Sequence, residues 1–136
     1  NSYIVSDMPF GTYQTPLDAL KSATKIFKET KADAVKLEGG IEKVEHIKLL
    51  TDNAISVVAH IGLMPQFSRS EGGYKVKGKD EISKQRLLKD AKAVEEAGAV
   101  ILVVEGVKEE VAKEITELVS IPVIGIGAGR YTDGQV

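Results

Sequence analysis

The sequence predicts an α/β fold in which parallel strands are joined by helices, and three observations carry that prediction. Short β-prone apolar runs alternate with segments of helical periodicity, in the order β-α-β-α-β-α-β-α-β. One run, residues 99–104, is apolar throughout, the pattern of a strand covered on both faces. The chemically capable side chains Asp7, Lys36, Glu38, His60 and Glu105 stand at or just beyond the ends of these runs, where α/β folds place their chemistry. Five such units are too few for a closed eight-stranded barrel, which typically needs about 250 residues. The chain is therefore either an open five-stranded sheet or the middle of a longer barrel, and residues 1–136 form a single domain.

Each element has its own signal. Residues 2–6 are a β-prone run that begins without a lead-in, so an N-terminal part of the fold is expected to precede it. Thr15-Pro16-Leu17-Asp18 opens the first helix, with Thr as N-cap, Pro at the first helical position and an acid at the third. Leu17, Leu20, Ala23, Thr24 and Phe27 follow at helical spacing and are expected to face the core. The strand 34–38 comes next and stops at Gly39-Gly40. A helix over 41–51 turns Val44, Ile47 and Leu50 inward, and a strand over 55–60 leads to Ile61-Gly62-Leu63-Met64-Pro65-Gln66. Residues 67–79 are a long polar connection, followed by a helix over 80–97 that Gly98 is placed to end in a left-handed cap. After the apolar strand, Glu105-Gly106 precedes a helix over 109–119 and a last strand over 122–126, which runs into Gly127-Ala128-Gly129-Arg130.

Composition narrows the class. With 18 basic and 20 acidic residues the charges nearly cancel, which argues against a nucleic-acid binder working through a basic surface. The absence of cysteine excludes disulfides and thiolate chemistry. No apolar run approaches the roughly 20 residues of a membrane-spanning helix, and a soluble cytoplasmic protein with no membrane partner is expected.

Lys36 and Glu38 lie two apart on a strand and so share one face, either as an internal ion pair or as working groups. Asp7 and Glu38 are hard oxygen donors at adjacent strand ends, suited to Mg²⁺; turn or helix capping is the alternative. Glu105 ends an apolar strand, where burial would raise its pKa and suit it to proton abstraction; the alternative is a satisfied rim carboxylate. His60 is either structural or a hydrogen-bond donor to a carbonyl. His46, among Glu42, Glu45 and Lys48, is expected to be solvated. The loop Gly125-Ile126-Gly127-Ala128-Gly129-Arg130 could hold an anion but fails the dinucleotide fingerprint, because Arg130 stands where glycine is needed. Residues 72–78 read as a flap whose lysines could attract an anionic substrate, or as a solvated loop.

Several of these stretches recur together in one known family. Asp7-Met8-Pro9-Phe10, Val35-Lys36-Leu37-Glu38-Gly39-Gly40, His60-Ile61-Gly62-Leu63-Met64-Pro65-Gln66 and Gly72-Gly73-Tyr74-Lys75-Val76 come first. Val104-Glu105, Ile121-Pro122-Val123-Ile124-Gly125-Ile126-Gly127-Ala128-Gly129 and Thr132-Asp133-Gly134-Gln135 complete the set. In this order they resemble the ketopantoate (3-methyl-2-oxobutanoate) hydroxymethyltransferase family. The resemblance implies a (βα)₈ TIM barrel of the phosphoenolpyruvate/pyruvate type, of which this chain would hold about strands three to seven. It implies transfer of a hydroxymethyl group from 5,10-methylenetetrahydrofolate to the 2-oxo acid 3-methyl-2-oxobutanoate, giving 2-dehydropantoate for pantothenate and coenzyme A synthesis. It further implies Asp7 and Glu38 at a Mg²⁺ ion, Asp7, Lys36 and His60 at the substrate, Glu105 as the base, and a homo-oligomer, commonly a decamer. The family's opening βα units, with a Gly-Asp-Ser segment that supplies a further metal ligand, have no counterpart here, nor does anything beyond the seventh strand. The chain alone is therefore expected to be inactive. A related Mg²⁺-dependent lyase or mutase acting on another 2-oxo acid is the second reading, and a non-enzymatic phosphate-ligand module using the glycine loop is the third.

Overall fold

The computed structural model describes residues 1–136. Helix α1 (Pro16–Glu29) begins where the sequence places its start: the Thr15 hydroxyl accepts from the Asp18 N–H at 3.1 Å, and the Asp18 carboxylate accepts from the Thr15 N–H at 3.3 Å. Before it runs strand β1 (Val5–Asp7), and after it β2 (Ala34–Glu38). A single 3₁₀ turn over residues 41–43 leads into α2 (Val44–Asp52), which is followed by β3 (Val57–Gly62). Helix α3 (Glu81–Ala97) is capped by Asp80, whose carboxylate accepts from the Ser83 N–H at 2.7 Å, and ends at Gly98 with φ of +111°. Strand β4 (Ile101–Glu105), helix α4 (Glu109–Leu118) and strand β5 (Val123–Ile126) follow as expected. A sixth strand, β6 (Gly134–Gln135), pairs with β5. It is missing from the sequence reading because two residues, one of them glycine, carry no periodicity. The chain thus reaches one strand further than the five anticipated.

All six strands are parallel and lie in sequential order, β1 to β6. Neighbouring helices pack on one another in the same succession. Alternation along each strand separates two faces. Val35, Leu37, Val57, Ala59, Ile61, Leu102, Val104 and Val123 meet the helices in one large core with Ala19, Ala23, Ile47, Leu50, Ala91, Val94 and Ile115. The opposite face carries only a small apolar patch, Ala34, Val58 and Val103 with Ile101, Ile124 and Ile126 packed beside it. A doubly wound sheet would reverse its strand order and place helices on both faces. Unreversed order with a single helical layer is the arc of a (βα)₈ barrel, the small patch being part of its interior. Of the two architectures left open by the sequence, the barrel is the one observed.

One packing expectation fails. Leu17 is exposed, because the buried stripe of α1 is centred on Ala19 and Ala23, leaving Leu17 on its flank. Leu20, Ile26 and Phe27 border the stripe and pack against the core.

Candidate active site

The inner face of the sheet changes from apolar to polar toward the C-terminal ends of the strands. Lys36 and Glu38 project there from β2, His60 from β3 and Glu105 from β4, and the register aligns Asp7 with Lys36, Glu38 with His60, and Gly62 with Glu105. All five sequence candidates thus meet at one end of the sheet. Lys36 and Glu38 are not each other's partners. The Lys36 ammonium lies 3.0 Å from the Asp7 carboxylate; its own side chain is 19% exposed and that of Asp7 is 65% exposed. Glu38 is buried, with Oε2 accepting from the Gln66 backbone N–H at 3.1 Å and Oε1 lying 3.8 Å from His60 Nδ1. His60 Nε2 donates to the Leu63 carbonyl at 2.9 Å, and Glu105 Oε2 lies 3.1 Å from the same nitrogen. Nδ1 is buried with no hydrogen-bond partner.

Burial governs the protonation states. It pushes the His60 pKa down to about 4, assisted by the nearby Lys36 charge and opposed by the Leu63 carbonyl and Asp7, so the ring is neutral at neutral pH. Burial also raises Glu38, against the Gln66 N–H and Lys36, while the other carboxylates add to the rise. Glu105 is raised by burial as well, with Lys36 opposing. A carboxylate with an elevated pKa, partly open to solvent and beside a neutral imidazole, has the properties of a general base.

The sequence profile of the ketopantoate hydroxymethyltransferase family matches residues 1–136, the whole chain. The chain belongs to the ketopantoate hydroxymethyltransferase family. It is similar to the 3-methyl-2-oxobutanoate hydroxymethyltransferase of Wolinella succinogenes, 61% identical over 135 residues, which covers 99% of this chain and 52% of that protein. The enzyme of the same name from Aliarcobacter butzleri is 57% identical over 136 residues, 100% of this chain and 51% of its own. The chain spans about half the length of these relatives. Among solved structures, a protein described as a "putative lyase/mutase" from Burkholderia cenocepacia superposes with a TM-score of 0.61 at 19% identity, covering 90% of this chain and 46% of that one. An isomerase from Streptomyces coelicolor gives 0.59 at 16%, covering 90% and 32%. At such identities the likeness speaks for the fold alone, a (βα)₈ barrel of which this member of the hydroxymethyltransferase family holds a part.

Asp7 and Glu38 offer two hard carboxylates at neighbouring strand ends, and no group of three or more His, Cys, Asp or Glu side chains is placed to hold a metal. Mg²⁺ commonly takes one or two protein carboxylates and completes its shell with water and substrate oxygens, so the donor set fits that ion.

Two neighbours of the site escaped the sequence reading. The Tyr13 hydroxyl donates to Gln66 Oε1 at 2.6 Å and accepts from the Glu38 backbone N–H at 3.3 Å; burial pushes its pKa up to about 12. The Gln66 side chain also donates to the Met8 carbonyl at 2.9 Å. The available signal was position: Tyr13 lies in the first βα connection and Gln66 in the third, the segments that border a barrel site.

Other expectations are corrected. His46 is buried, not solvated: α2 turns it toward the loop before α1, where Nε2 meets the Gln14 carbonyl at 3.3 Å, and burial lowers its pKa. In the glycine loop the Glu109 side chain packs against Gly129 and pairs with Arg130 at 3.5 Å. In the 67–79 connection, Lys77 is engaged by Glu71 at 2.7 Å and its backbone bridges to Val107, so this lysine is tied down. Tyr74 at the tip is exposed.

Proposed function

We propose that the whole protein transfers a hydroxymethyl group from 5,10-methylenetetrahydrofolate to 3-methyl-2-oxobutanoate, forming 2-dehydropantoate and tetrahydrofolate with consumption of one water. The observation that carries this reading is the line Glu38–His60–Glu105 beside the Asp7–Lys36 pair at the C-terminal ends of four consecutive strands. Asp7 and Glu38 would hold Mg²⁺. Bound there, Mg²⁺ would supply Lewis acidity toward the oxygens of a 2-oxo acid. Lys36 offsets the substrate's carboxylate charge and fixes its orientation. Glu105 takes the proton from C3, and the carbon so freed forms the new bond to the one-carbon unit. His60, neutral, gives its Nε2–H to the Leu63 carbonyl and places its ring against the Glu105 carboxylate, 3.1 Å away.

Family membership and the match of site chemistry to the reaction support this assignment; we further propose that the protein works in the cytoplasm as a homo-oligomer, commonly a decamer. No helix is long and apolar enough to cross a membrane. The test is product analysis by mass spectrometry on the purified full-length enzyme. 2-Dehydropantoate is expected only when both substrates and Mg²⁺ are supplied. Unchanged turnover after exhaustive chelation, or no product from the metal-loaded enzyme, would overturn the reading.

A further inference from the structure

Gln66 occupies an unusual position in the hydrogen-bond pattern around Glu38. Its side-chain N–H donates to the Met8 carbonyl, the residue directly after Asp7. Its side-chain oxygen accepts from the buried Tyr13 hydroxyl, and that hydroxyl accepts in turn from the Glu38 backbone N–H. Its backbone N–H donates to Glu38 Oε2. One residue in the loop after β3 thereby joins the chain segment that carries Asp7 to both the backbone and the carboxylate of Glu38.

Neither Asp7 nor Glu38 has another comparable restraint. Asp7 ends a three-residue strand, and its carboxylate has Lys36 as its ion-pair partner. The remaining contact of Glu38 is His60 Nδ1 at 3.8 Å, beyond hydrogen-bond length. Nor is the arrangement ordinary loop packing. The loop places both polar ends of a side chain and a backbone donor on the two segments that bear the carboxylates.

We infer that Gln66, backed by Tyr13, is a positioning residue that sets the separation and orientation of the Asp7 and Glu38 carboxylates, and so the affinity of the site for a divalent cation. This rests on the metal role given to those carboxylates above. Partners that orient metal ligands typically matter by about 10- to 100-fold in metal affinity or activity.

The experiment measures Mn²⁺ binding by electron paramagnetic resonance, with no substrate present, on the full-length enzyme and on Gln66→Met, Tyr13→Phe and the double variant. Gln66→Met fills nearly the same space without polar atoms, so the fold is retained while both side-chain hydrogen bonds are lost; thermal unfolding monitors this. Expected are a weakening of Mn²⁺ binding by roughly tenfold or more in Gln66→Met, a smaller loss in Tyr13→Phe, and a double variant little worse than Gln66→Met because the two act as one clamp. Wild-type Mn²⁺ affinity in Gln66→Met would overturn the inference, as would a lowered unfolding temperature with unchanged affinity. Failure of the unsubstituted enzyme to bind Mn²⁺ would overturn the metal reading itself and the inference with it, an outcome distinct from a variant that merely matches the parent.

Discussion

Gly40 is a position where a single added methyl group should be costly. A Cβ there would overlap the Asp90 carboxylate carbon and Oδ1. Asp90 cannot easily yield, since it sits buried on α3 beside Leu87, Ala91 and Val94, and its Oδ1 accepts the Ile41 N–H at 3.0 Å. Gly40→Ala therefore brings two losses together. Compressing the packed helix against the loop costs about 1–3 kcal/mol, and displacing the carboxylate leaves a part-buried N–H unpaired for about 1–3 kcal/mol more. The expected destabilisation is roughly 2–6 kcal/mol. Gly11→Ala is the comparison: Gly11 has φ of +83°, but its Cβ would meet nothing within 4 Å, so only backbone strain of about 1–2 kcal/mol applies. Urea unfolding of the full-length protein measures both. A loss below about 1 kcal/mol at Gly40, or a smaller loss there than at Gly11, would refute the reasoning.

Two further predictions concern the inner face. The folded-state pKa of His60, about 4, lies below its ordinary value of 6.5, so between these limits the unfolded chain binds more protons and stability falls as pH drops. That difference corresponds to about 3 kcal/mol lost from pH 7 to pH 4. His60→Gln should flatten this part of the stability curve in urea titrations at stepped pH; Glu38 and Glu105, shifted upward, act in the opposite sense and remain in both proteins. A peptide of residues 1–136 alone should show no turnover in the product assay, because β1 and β6 are unpaired edges and the chain supplies only two carboxylates to the metal; turnover matching the full-length enzyme would contradict this.

Much of this was legible in the sequence because strand parity is strict. Once residues 34–38 are read as a strand, Lys36 and Glu38 must share a face, and the polar strand ends converge because the strands are parallel. The capping box at Thr15 and the left-handed cap at Gly98 were local signals that held. The failures are those of distance. His46 looked solvated because its sequence neighbours are charged, but what buries it is a loop 32 residues away. Lys36 found Asp7 across the sheet instead of Glu38 along its own strand. Tyr13 and Gln66 are 53 residues apart, and no periodicity announces a hydrogen bond across that interval.

The central claim is that Glu105 removes the C3 proton of a 2-oxo acid held by Asp7, Lys36 and Glu38. Proton exchange at C3 of 3-methyl-2-oxobutanoate in D₂O, followed by NMR without folate, tests it most directly in the full-length enzyme with and without Mg²⁺. The account predicts metal-dependent exchange that is lost in Glu105→Gln. No exchange by the folded, metal-loaded enzyme, or exchange that survives Glu105→Gln, would contradict it.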